Sequence, residues 1–463
     1  MWQVRKPGKG GAAPAEEQKI SALDEQRLVT IGDAGAFAKR DKHTDLKVEL
    51  HQRLLDLINL QALDQMSREQ IEAEVGDIVA EELAKQNHAL NHAERKQLVG
   101  DVLDELLGLG PLEPLLKDPT ITDILVNGYA RVFVERYGVL EPSPVRFKDE
   151  RHLVRIIQKI VSAVGRRIDE SSPLVDARLA DGSRVNAIVP PLSLDGSSLS
   201  IRKFAKVPIS MERLVEIGSV PVQMSEVLKA VVASRRNVLI SGGTGSGKTT
   251  MLNAMSAFID NRERIVTIED SAELQMQQEH VVRLETRPAN IEGKGEIMQR
   301  DLVKNSLRMR PDRIIVGEVR AGEAFDMLQA MNTGHDGSMT TVHANTPRDA
   351  LSRVEQMIGM SGIDIPPRAA RAQIASAINV VIQVARLSDG RRKVVSLSEL
   401  TGMEGEVVTM QEIFRFRQTG MSPEGQVIGK FEATGIRPRF LEQVMAHGVT
   451  LSSDLFRPDA KFD

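Results

Sequence analysis

The stretch NVLISGGTGSGKTT (residues 237–250) decides the fold expected of this chain. An apolar strand leads into a loop with the pattern G-x-x-x-x-G-K-T, and a helix follows. In this context the pattern predicts a phosphate-binding P-loop, because glycines let backbone N–H groups turn toward phosphate oxygens and the helix N-terminus attracts negative charge. We expect Lys248 to reach the β- and γ-phosphates and the Thr249 hydroxyl to bind Mg²⁺. The predicted nucleotide contacts of the loop are Gly242, Gly243, Thr244, Gly245, Ser246, Gly247, Lys248, Thr249 and Thr250.

Carboxylates at the ends of two predicted strands complete the candidate catalytic site. The strand in RIVTIED ends at Glu269 and Asp270, with Glu273 three residues on, and the strand in PDRIIVGEVR ends at Glu318. Such groups meet beside a bound γ-phosphate at the carboxyl edge of a parallel sheet. We expect Glu318 to polarise the attacking water with the help of Glu269. Asp270 and Glu273 are the candidates that support the metal. The alternative, strongest for Glu273, is a carboxylate that caps a helix start.

The sequence favours ATP over GTP. No guanine-reading N-K-x-D motif follows the P-loop, and the L-S-G-G-Q signature of an ABC cassette is absent. The expected cofactors are therefore ATP and Mg²⁺. A net charge of −4 and an aromatic content of 3% argue against a protein that coats or stacks on nucleic acid. We expect no stable nucleic-acid partner.

The sequence divides into several predicted regions. Apolar strands alternating with amphipathic helices predict a mainly parallel α/β domain over 220–463, with two short strands and a helix in its tail. A smaller α/β domain is predicted over 105–205, and 206–219 is predicted to be a linker. Helical leucine spacing and the capping patterns SREQ and NHAE predict a three-helix bundle over 44–104, either a packing module or a docking module. Residues 1–43 are predicted to be mostly disordered.

Targeting and redox signals are few. The basic N-terminus has no apolar segment of the kind found in secretory signals, and no run approaches the roughly 20 apolar residues of a membrane-spanning helix. Cysteine is absent, which excludes disulfides, thiolate zinc sites and cysteine nucleophiles and suits a reducing cytoplasm.

His335 and His343 lie eight positions apart in TGHDGSMTTVHAN (residues 333–345). A zinc site commonly needs three or four ligands, and neither this spacing nor the absence of cysteine favours one. From the residues alone, a buried or capping histidine that orders the neighbouring strand is the interpretation that stands.

Eight blocks occur in order between about residue 106 and about residue 400. They are GPLEPLL, ITDILVNG, VFVER, DGSRVNAIVPPLSLDG, SIRKF, SGGTGSGKTT, IEDSAELQ and LRMRPDRIIVGEVRAGEAFDMLQAMNTGHDGSMTTVHANTPRDALSRVE. Together they resemble the type II/IV secretion ATPases, most of all the CpaF/TadA-type motors of tight-adherence (Tad) pili. One departure is Ala321, where the Tad-like pattern has a second glycine. The resemblance implies a PAS-like domain over 105–205 and a RecA-like P-loop ATPase domain over 220–463, assembled as a homo-hexameric ring.

The resemblance also implies roles for single residues. It places Glu269 and Asp270 in the family's Asp box and Glu318 in the Walker B region. It makes His335 and His343 the His box, two side chains that contact the γ-phosphate region and report its presence to the ring. An imidazole can donate to phosphate through one nitrogen while its other nitrogen bonds the sheet.

Arginines are a further class of candidate, because an arginine at the γ-phosphate can add about 10³–10⁵ to the rate. We expect Arg202, and after it Arg184, to contact the nucleotide from the smaller α/β domain or the linker. Whether they act within one subunit or across an interface stays open. The remaining candidates are Arg166, Arg167, Arg178, Arg308, Arg310 and Arg320.

The combined prediction is a cytoplasmic hexameric ATPase at the inner face of the cytoplasmic membrane. It would associate with the membrane through inner-membrane pilus platform proteins and drive assembly of a type IVc/Tad pilus, with retraction as a further option. The first alternative is a type IV secretion motor that exports DNA or protein. A second is a nucleotide-gated scaffold, whose near-zero turnover Glu318→Gln would leave unchanged. A third is a nucleic-acid translocase, whose DNA-stimulated activity would fall steeply with salt.

Overall fold

The computed structural model describes residues 68–85, 91–136, 138–204, 208–289, 294–458 and 462. These residues form a helical pair and two β-sheets with helices packed against them, which confirms the α/β class. The helices are α1 Arg68–Lys85, α2 His92–Leu106, α3 Glu113–Lys117, α4 Glu150–Ser162, α5 Met211–Glu216, α6 Val222–Ala233, α7 Lys248–Ser256, α8 Gln299–Ser306, α9 Glu323–Asn332, α10 Pro347–Gly359, α11 Pro367–Ala377 and α12 Leu441–Ala446. The strands are β1 Ile121–Asn127, β2 Val132–Arg136, β3 Val139–Pro142, β4 Leu174–Arg178, β5 Arg184–Ile188, β6 Ser198–Arg202, β7 Val238–Gly242, β8 Ile265–Glu269, β9 Val281–Glu285, β10 Arg313–Val316, β11 Met339–Val342, β12 Val380–Arg386, β13 Arg392–Glu404, β14 Val407–Met421 and β15 Val427–Ala433.

The helical pair consists of α1 and α2. Helix α2 begins at the predicted capping box: Asn91 Oδ1 accepts from the Glu94 backbone N–H at 2.9 Å, and the Glu94 carboxylate accepts from the Asn91 N–H at 2.9 Å. The apolar faces of the two helices pack together through Ile71, Val75, Val79, Leu83, Leu98, Val99, Val102 and Leu103. The first helix of the predicted bundle and the predicted disordered region over 1–43 lie outside the described residues.

The first sheet is antiparallel, with the strand order β3-β2-β1-β6-β5-β4. Helix α4 packs on it through a buried apolar face that includes Leu153, Ile156 and Ile160. Strand β6, which the residue pattern alone did not predict, is central and pairs with both β1 and β5. This register places Arg202 opposite Arg184.

The second sheet has the order β15-β14-β13-β12-β7-β11-β10-β8-β9, and the strands from β12 to β9 are parallel. Every residue of β7, β8, β10 and β11 is buried, as expected for strands with helices on both faces. Separate apolar clusters cover the two faces. The carboxyl ends of these strands therefore share one edge, where the P-loop follows β7.

The tail of the chain extends this sheet with the antiparallel strands β13, β14 and β15. The prediction of two short strands was wrong in extent, because β14 has 15 residues and the unpredicted β13 has 13. Many β14 side chains are exposed or only half-buried, so charged residues interrupt the apolar alternation that marks a strand.

Part of the predicted linker over 206–219 is ordered as α5. Its Met211 and Leu214 belong to the same apolar cluster as β7 and α7. This segment therefore packs with the second sheet. Among the described helices, none is long and apolar enough to cross a membrane.

Candidate functional site at the P-loop

The P-loop follows β7 and leads into α7. A Cβ at Gly242 would lie 2.4 Å from Ser246 Oγ and 2.4 Å from Val384 O, too close for any side chain. Gly245 and Gly247 have φ angles of +66° and +98°, in the left-handed region that favours glycine. The path of the loop therefore requires glycine at three positions, which is how backbone N–H groups are turned inward to cradle phosphate.

Lys248, the first residue of α7, reaches across this loop. Its Nζ donates to the carbonyls of Gly242 and Gly243 at 3.1 Å each and lies 3.9 Å from Glu318 Oε1. Burial lowers the pKa of Lys248, and the charge of Glu318 opposes that shift. The ammonium group is thus held over the loop beside the predicted water-polarising carboxylate.

Glu318 lies two residues beyond β10, which ends at Val316 and not at Glu318 as predicted. Its Oε2 accepts from Arg320 Nη2 at 2.5 Å and Nε at 2.9 Å. Arg320 Nη1 also donates to Asp270 Oδ2 at 3.3 Å. Burial alone would lower the pKa of Arg320, but the neighbouring carboxylates Glu318 and Asp270 raise it. Arg320 therefore joins the predicted catalytic carboxylate to a predicted metal ligand.

Glu269 ends β8 and is buried. Its Oε2 accepts from the backbone N–H groups of Glu273 and Leu274 at 2.7 and 2.9 Å, while Oε1 has no hydrogen-bond partner among the described residues. A Cβ at Gly317 would lie 2.9 Å from Glu269 Cγ, so a glycine is needed before Glu318. Burial raises the pKa of Glu269. Glu269 has the contacts of a capping residue, and its catalytic role stays a prediction.

His343 follows β11 and contacts the P-loop, where its Nε2 lies 2.9 Å from Thr244 Oγ1. Partial burial, together with the nearby charge of Lys248, lowers the pKa of His343. The structure therefore places the His343 imidazole against the phosphate-binding loop, and its role as a γ-phosphate sensor stays a prediction.

His335 lies at the other end of β11. Its Nδ1 is 3.2 Å from the carbonyl of Ala330 near the end of α9. Two residues on, the Gly337 N–H donates to Asn237, which immediately precedes β7. The two histidines therefore lie at opposite ends of β11, and His343 is the one seen to contact the P-loop among the described residues, so the sensor role of His335 stays a prediction.

Arg184 and Arg202 approach the P-loop from the first sheet. Arg184 Nη2 donates to the Ser271 carbonyl at 2.7 Å, and Nη1 lies 3.1 Å from Glu273 Oε1. Arg202 Nε donates to Asp123 at 3.1 Å. A cavity of about 180 Å³ is lined by Arg184, Arg202, Phe204, Ile209, Thr249, Thr250, Asn253 and Glu273, among other residues. The structure thus brings both predicted arginines to the start of α7.

Comparison with known proteins identifies the family. The family description "Type II/IV secretion system protein" matches residues 105–425. This chain belongs to the type II/IV secretion system protein family. A putative conjugal transfer protein of Mycobacterium tuberculosis is 41% identical over 310 residues, which are 65% of this chain and 87% of the relative. The type IV secretion system protein VirB11 of Bartonella quintana is 30% identical over 331 residues, 63% of this chain and 92% of the relative.

A solved structure is also similar to this secretion-family chain. The VirB11 ATPase of the Brucella suis type IV secretion system is 27% identical, with a TM-score of 0.34. The matched region covers 62% of this chain and 95% of that one.

Two arginines of the secretion-family chain make contacts that were not predicted: Arg178, which was a candidate for the nucleotide, and Arg392, which was not a candidate. Arg178 Nη1 donates to Glu285, the last residue of β9, at 2.7 Å, and Nη2 donates to the Ala272 carbonyl at 2.8 Å. The first sheet is therefore hydrogen-bonded to the loop after β8. Arg178 pairs with Arg184 across the β4–β5 hairpin, and the Asp-Gly pair between them was a usable hairpin signal. Arg392 Nε donates to the P-loop carbonyl of Gly245 at 2.8 Å, and it was missed because β13 was not predicted.

The predicted metal ligands of this secretion-family chain do not form one cluster. Within the described residues, no group of three or more histidine, aspartate or glutamate side chains could hold a metal ion. Asp270 pairs with Arg320, and Glu273 pairs with Arg184. Thr249 lines the cavity at the start of α7. This set fits Mg²⁺ that is bound together with phosphates, since Mg²⁺ takes few protein ligands in such sites.

Proposed function

We propose that this chain binds ATP with Mg²⁺ at the P-loop and hydrolyses it. The observation that carries the proposal is the placement of Lys248 Nζ over the P-loop, 3.9 Å from Glu318. Lys248 moves from the loop carbonyls to the β- and γ-phosphates, and Thr249 and Thr250 contact the phosphates and metal from α7. Mg²⁺, when bound, neutralises charge that develops on the phosphates.

Glu318 is the proposed group that orients and polarises the attacking water. Arg320 already pairs with one of its oxygens, Oε2, so Oε1 is the oxygen that faces Lys248 and the phosphates. His343 is the proposed phosphate sensor, because its ring already bonds the P-loop through Thr244. Its lowered pKa keeps the imidazole neutral at physiological pH, so it can donate from one nitrogen and accept at the other.

The first sheet is the proposed moving part. Arg178 and Arg184 hold the loop after β8, and Arg202 and Arg184 line the cavity beside Thr250. Nucleotide in this cavity would contact both sheets, so its arrival and departure would close and open them as rigid bodies. We propose that the first sheet forms the PAS-like domain over 105–205 and the second sheet the RecA-like ATPase domain over 220–463.

We further propose that the chain works as a cytoplasmic homo-hexamer that drives assembly of a type IVc/Tad pilus through inner-membrane platform proteins. The long motif blocks quoted above, together with membership in the type II/IV secretion system protein family, support this proposal.

The second candidate function is that of a type IV secretion motor for DNA or protein. The names of the relatives favour it, since one is a putative conjugal transfer protein and another is VirB11 of a type IV secretion system. Both candidates share the ATPase chemistry and differ in the machine that the motor drives.

The chemistry is tested on the purified full chain by phosphate release from ATP with Mg²⁺. Wild type is expected to turn over, and Glu318→Gln should lower kcat by about 10²–10⁴ because the water loses its polarising group. Glu279→Gln changes an exposed glutamate in the bend just before β9 and should match wild type. Near-zero turnover that Glu318→Gln leaves unchanged would identify a nucleotide-gated scaffold instead.

The machine is tested by crosslinked affinity capture from host membranes with Glu318→Gln in the presence of ATP, followed by mass spectrometry. A polytopic membrane pair together with a pilin supports the pilus motor. Conjugation components or a DNA-coupling protein would reject the pilus and establish the secretion candidate.

A further inference from the structure

The hairpin between β12 and β13 projects past the end of β7 and reaches the P-loop. Arg386 closes β12, Arg392 opens β13, and the two are directly paired across the strands. Strand β12 lies beside β7, with Val384 opposite Gly242. Two arginines are therefore placed side by side next to the phosphate-binding loop.

Both arginines lie against the P-loop backbone. Arg392 Nε donates to the Gly245 carbonyl at 2.8 Å, and its Cδ lies 3.5 Å from where a Cβ would stand on Gly247. Arg386 Nη1 lies 3.8 Å from where a Cβ would stand on Gly245. Because a trans peptide is planar, a fixed Gly245 carbonyl also fixes the N–H of Ser246, which points the opposite way. That N–H donates to Gly243 O at 3.4 Å, inside the loop.

The first sheet contacts this hairpin through one carboxylate. Glu135 of β2 lies 3.5 Å from Arg392 Nη2 through Oε1 and 3.9 Å from Arg386 Nη1 through Oε2. Its side chain is only 16% exposed, so it faces the hairpin and not solvent. The turn between β2 and β3 also contacts the turn between β12 and β13, since a Cβ at Gly138 would lie 3.4 Å from the Gly390 carbonyl oxygen.

The tip of the hairpin is anchored independently of the P-loop. Asp389 accepts from the Val427 N–H at 2.7 Å and from Arg391 Nε at 2.7 Å, and Arg391 Nη2 donates to the Val427 carbonyl at 2.6 Å. These bonds fix the hairpin to β15. Arg386 and Arg392 are thus presented from a braced element between the P-loop and Glu135.

We propose that Arg386 and Arg392 are positioning residues that transmit the position of the first sheet to the P-loop, with Glu135 as the link. The inference rests on the proposed function, since it concerns how tightly the P-loop binds ATP. With Glu135 in place, Arg392 holds the Gly245–Ser246 peptide and directs the Ser246 N–H inward. When the first sheet moves away, Glu135 leaves the arginines, the peptide is free to rotate, and nucleotide binding weakens.

The test measures ATP KM, kcat and the Kd of a fluorescent ATP analogue for wild type, Arg392→Gln, Glu135→Gln and the double variant. Arg392→Gln is expected to raise KM and Kd about tenfold, the value of a charged hydrogen-bond donor, with kcat changed less than about twofold. Glu135→Gln should raise both about threefold, because partly exposed ion pairs are weak. The double variant should show clearly less than the sum of the two single effects, because Glu135 acts partly through Arg392 and partly through Arg386.

Arg417→Gln is the matched control, an exposed arginine of β14 that pairs with Glu432. It should leave KM and Kd unchanged. An unchanged Kd in Arg392→Gln, or strictly additive effects in the double variant, would overturn the inference. A wild type that binds the analogue without turnover would reject the proposed hydrolysis and leave this test intact through Kd, and a wild type that binds nothing would reject both.

Discussion

The two ends of the parallel strands in the second sheet carry the same kinds of side chain in different states of pairing. At the amino end, Arg313 is 1% exposed and donates to both oxygens of Glu263 at 2.7 and 2.8 Å. At the carboxyl end, Lys248 and Glu318 are partly exposed and 3.9 Å apart. The Arg313–Glu263 pair is shielded from solvent and Glu263 also pairs with Arg235 at 3.2 Å, whereas the loose pair leaves hydrogen-bonding groups for a ligand. The amino end therefore serves stability, and the carboxyl end is where ligand binding is proposed.

Two buried glutamates repeat this contrast. Glu399 lies opposite the first residue of β12, and its two oxygens accept from the N–H groups of Arg439 and Phe440 at 2.8 and 2.7 Å. Glu269 at the carboxyl end uses Oε2 alone, and Oε1 has no partner among the described residues. Burial raises the pKa of both carboxyls. The acceptor without a partner, Glu269 Oε1, thus lies at the carboxyl end, where nucleotide binding is proposed.

The largest expected effect comes from Lys248→Gln at the carboxyl end. Without the ammonium group the phosphate charge is not neutralised, and kcat/KM for ATP should fall by about 10³-fold, as for other charge-stabilising donors. Steady-state phosphate release measures it. Lys229→Gln, a half-buried lysine of α6 that pairs with Glu212, is the control and should match wild type. Activity above a tenth of wild type would break the proposed role of this end.

The next effect comes from Glu263→Gln at the amino end. It leaves the buried Arg313 guanidinium without its counter-ion, and the free energy of unfolding should fall by about 3–5 kcal/mol. Urea titration measures this change, and nucleotide Kd at low urea should stay at the wild-type value. A weakened Kd with unchanged stability would show that the amino end takes part in binding.

His343→Ala and His335→Ala test the same contrast across a single strand. His343 bonds Thr244 of the P-loop and is the proposed phosphate sensor, so its loss should lower kcat about tenfold, the value of one hydrogen bond to a charged phosphate. Among the described residues the His335 ring contacts the Ala330 carbonyl near the end of α9 and not the P-loop, so kcat should change less than about twofold. A larger loss for His335 than for His343 would mean that it acts on the nucleotide of a neighbouring subunit.

The smallest effect is a pH dependence of stability at Glu269. The pKa of Glu269 in the folded protein is raised above the ordinary value of 4.5. Its contribution to the free energy of unfolding is therefore fully present below pH 4.5 and is lost as the pH rises through the folded pKa. Glu269→Gln keeps an oxygen for the two N–H donors and cannot ionise. Its free energy of unfolding relative to wild type should therefore increase from pH 4 toward pH 7.

Glu399→Gln is the comparison for that experiment. Its amide NH₂ would have to face one of the two backbone donors, so it should destabilise the fold at every pH by about 1–3 kcal/mol. Equal behaviour of the two variants in urea titrations would contradict the difference in hydrogen bonding between the two ends.

Much of the fold and of the site was visible in the residues. The P-loop motif and the fully apolar strands predicted the parallel sheet, and strand-end carboxylates predicted Glu318 and Asp270 near one another. Strand β6 alternates polar and apolar residues over only five positions and was not predicted, and β13 escaped because polar residues interrupt its apolar pattern. Missing β13 also meant missing Arg392.

By itself the sequence determined the kind of chemistry, because glycine spacing, Lys248 and the strand-end carboxylates are local features that need only a strand, a loop and a helix. The tertiary structure decided which side chains share the site. It placed His343 at the P-loop and His335 at the opposite end of β11. It also directed Glu269 to backbone N–H groups of the loop after β8 and brought Glu135 to the hairpin arginines. These are contacts between distant parts of the chain, and strand order and register, not local spacing, set them.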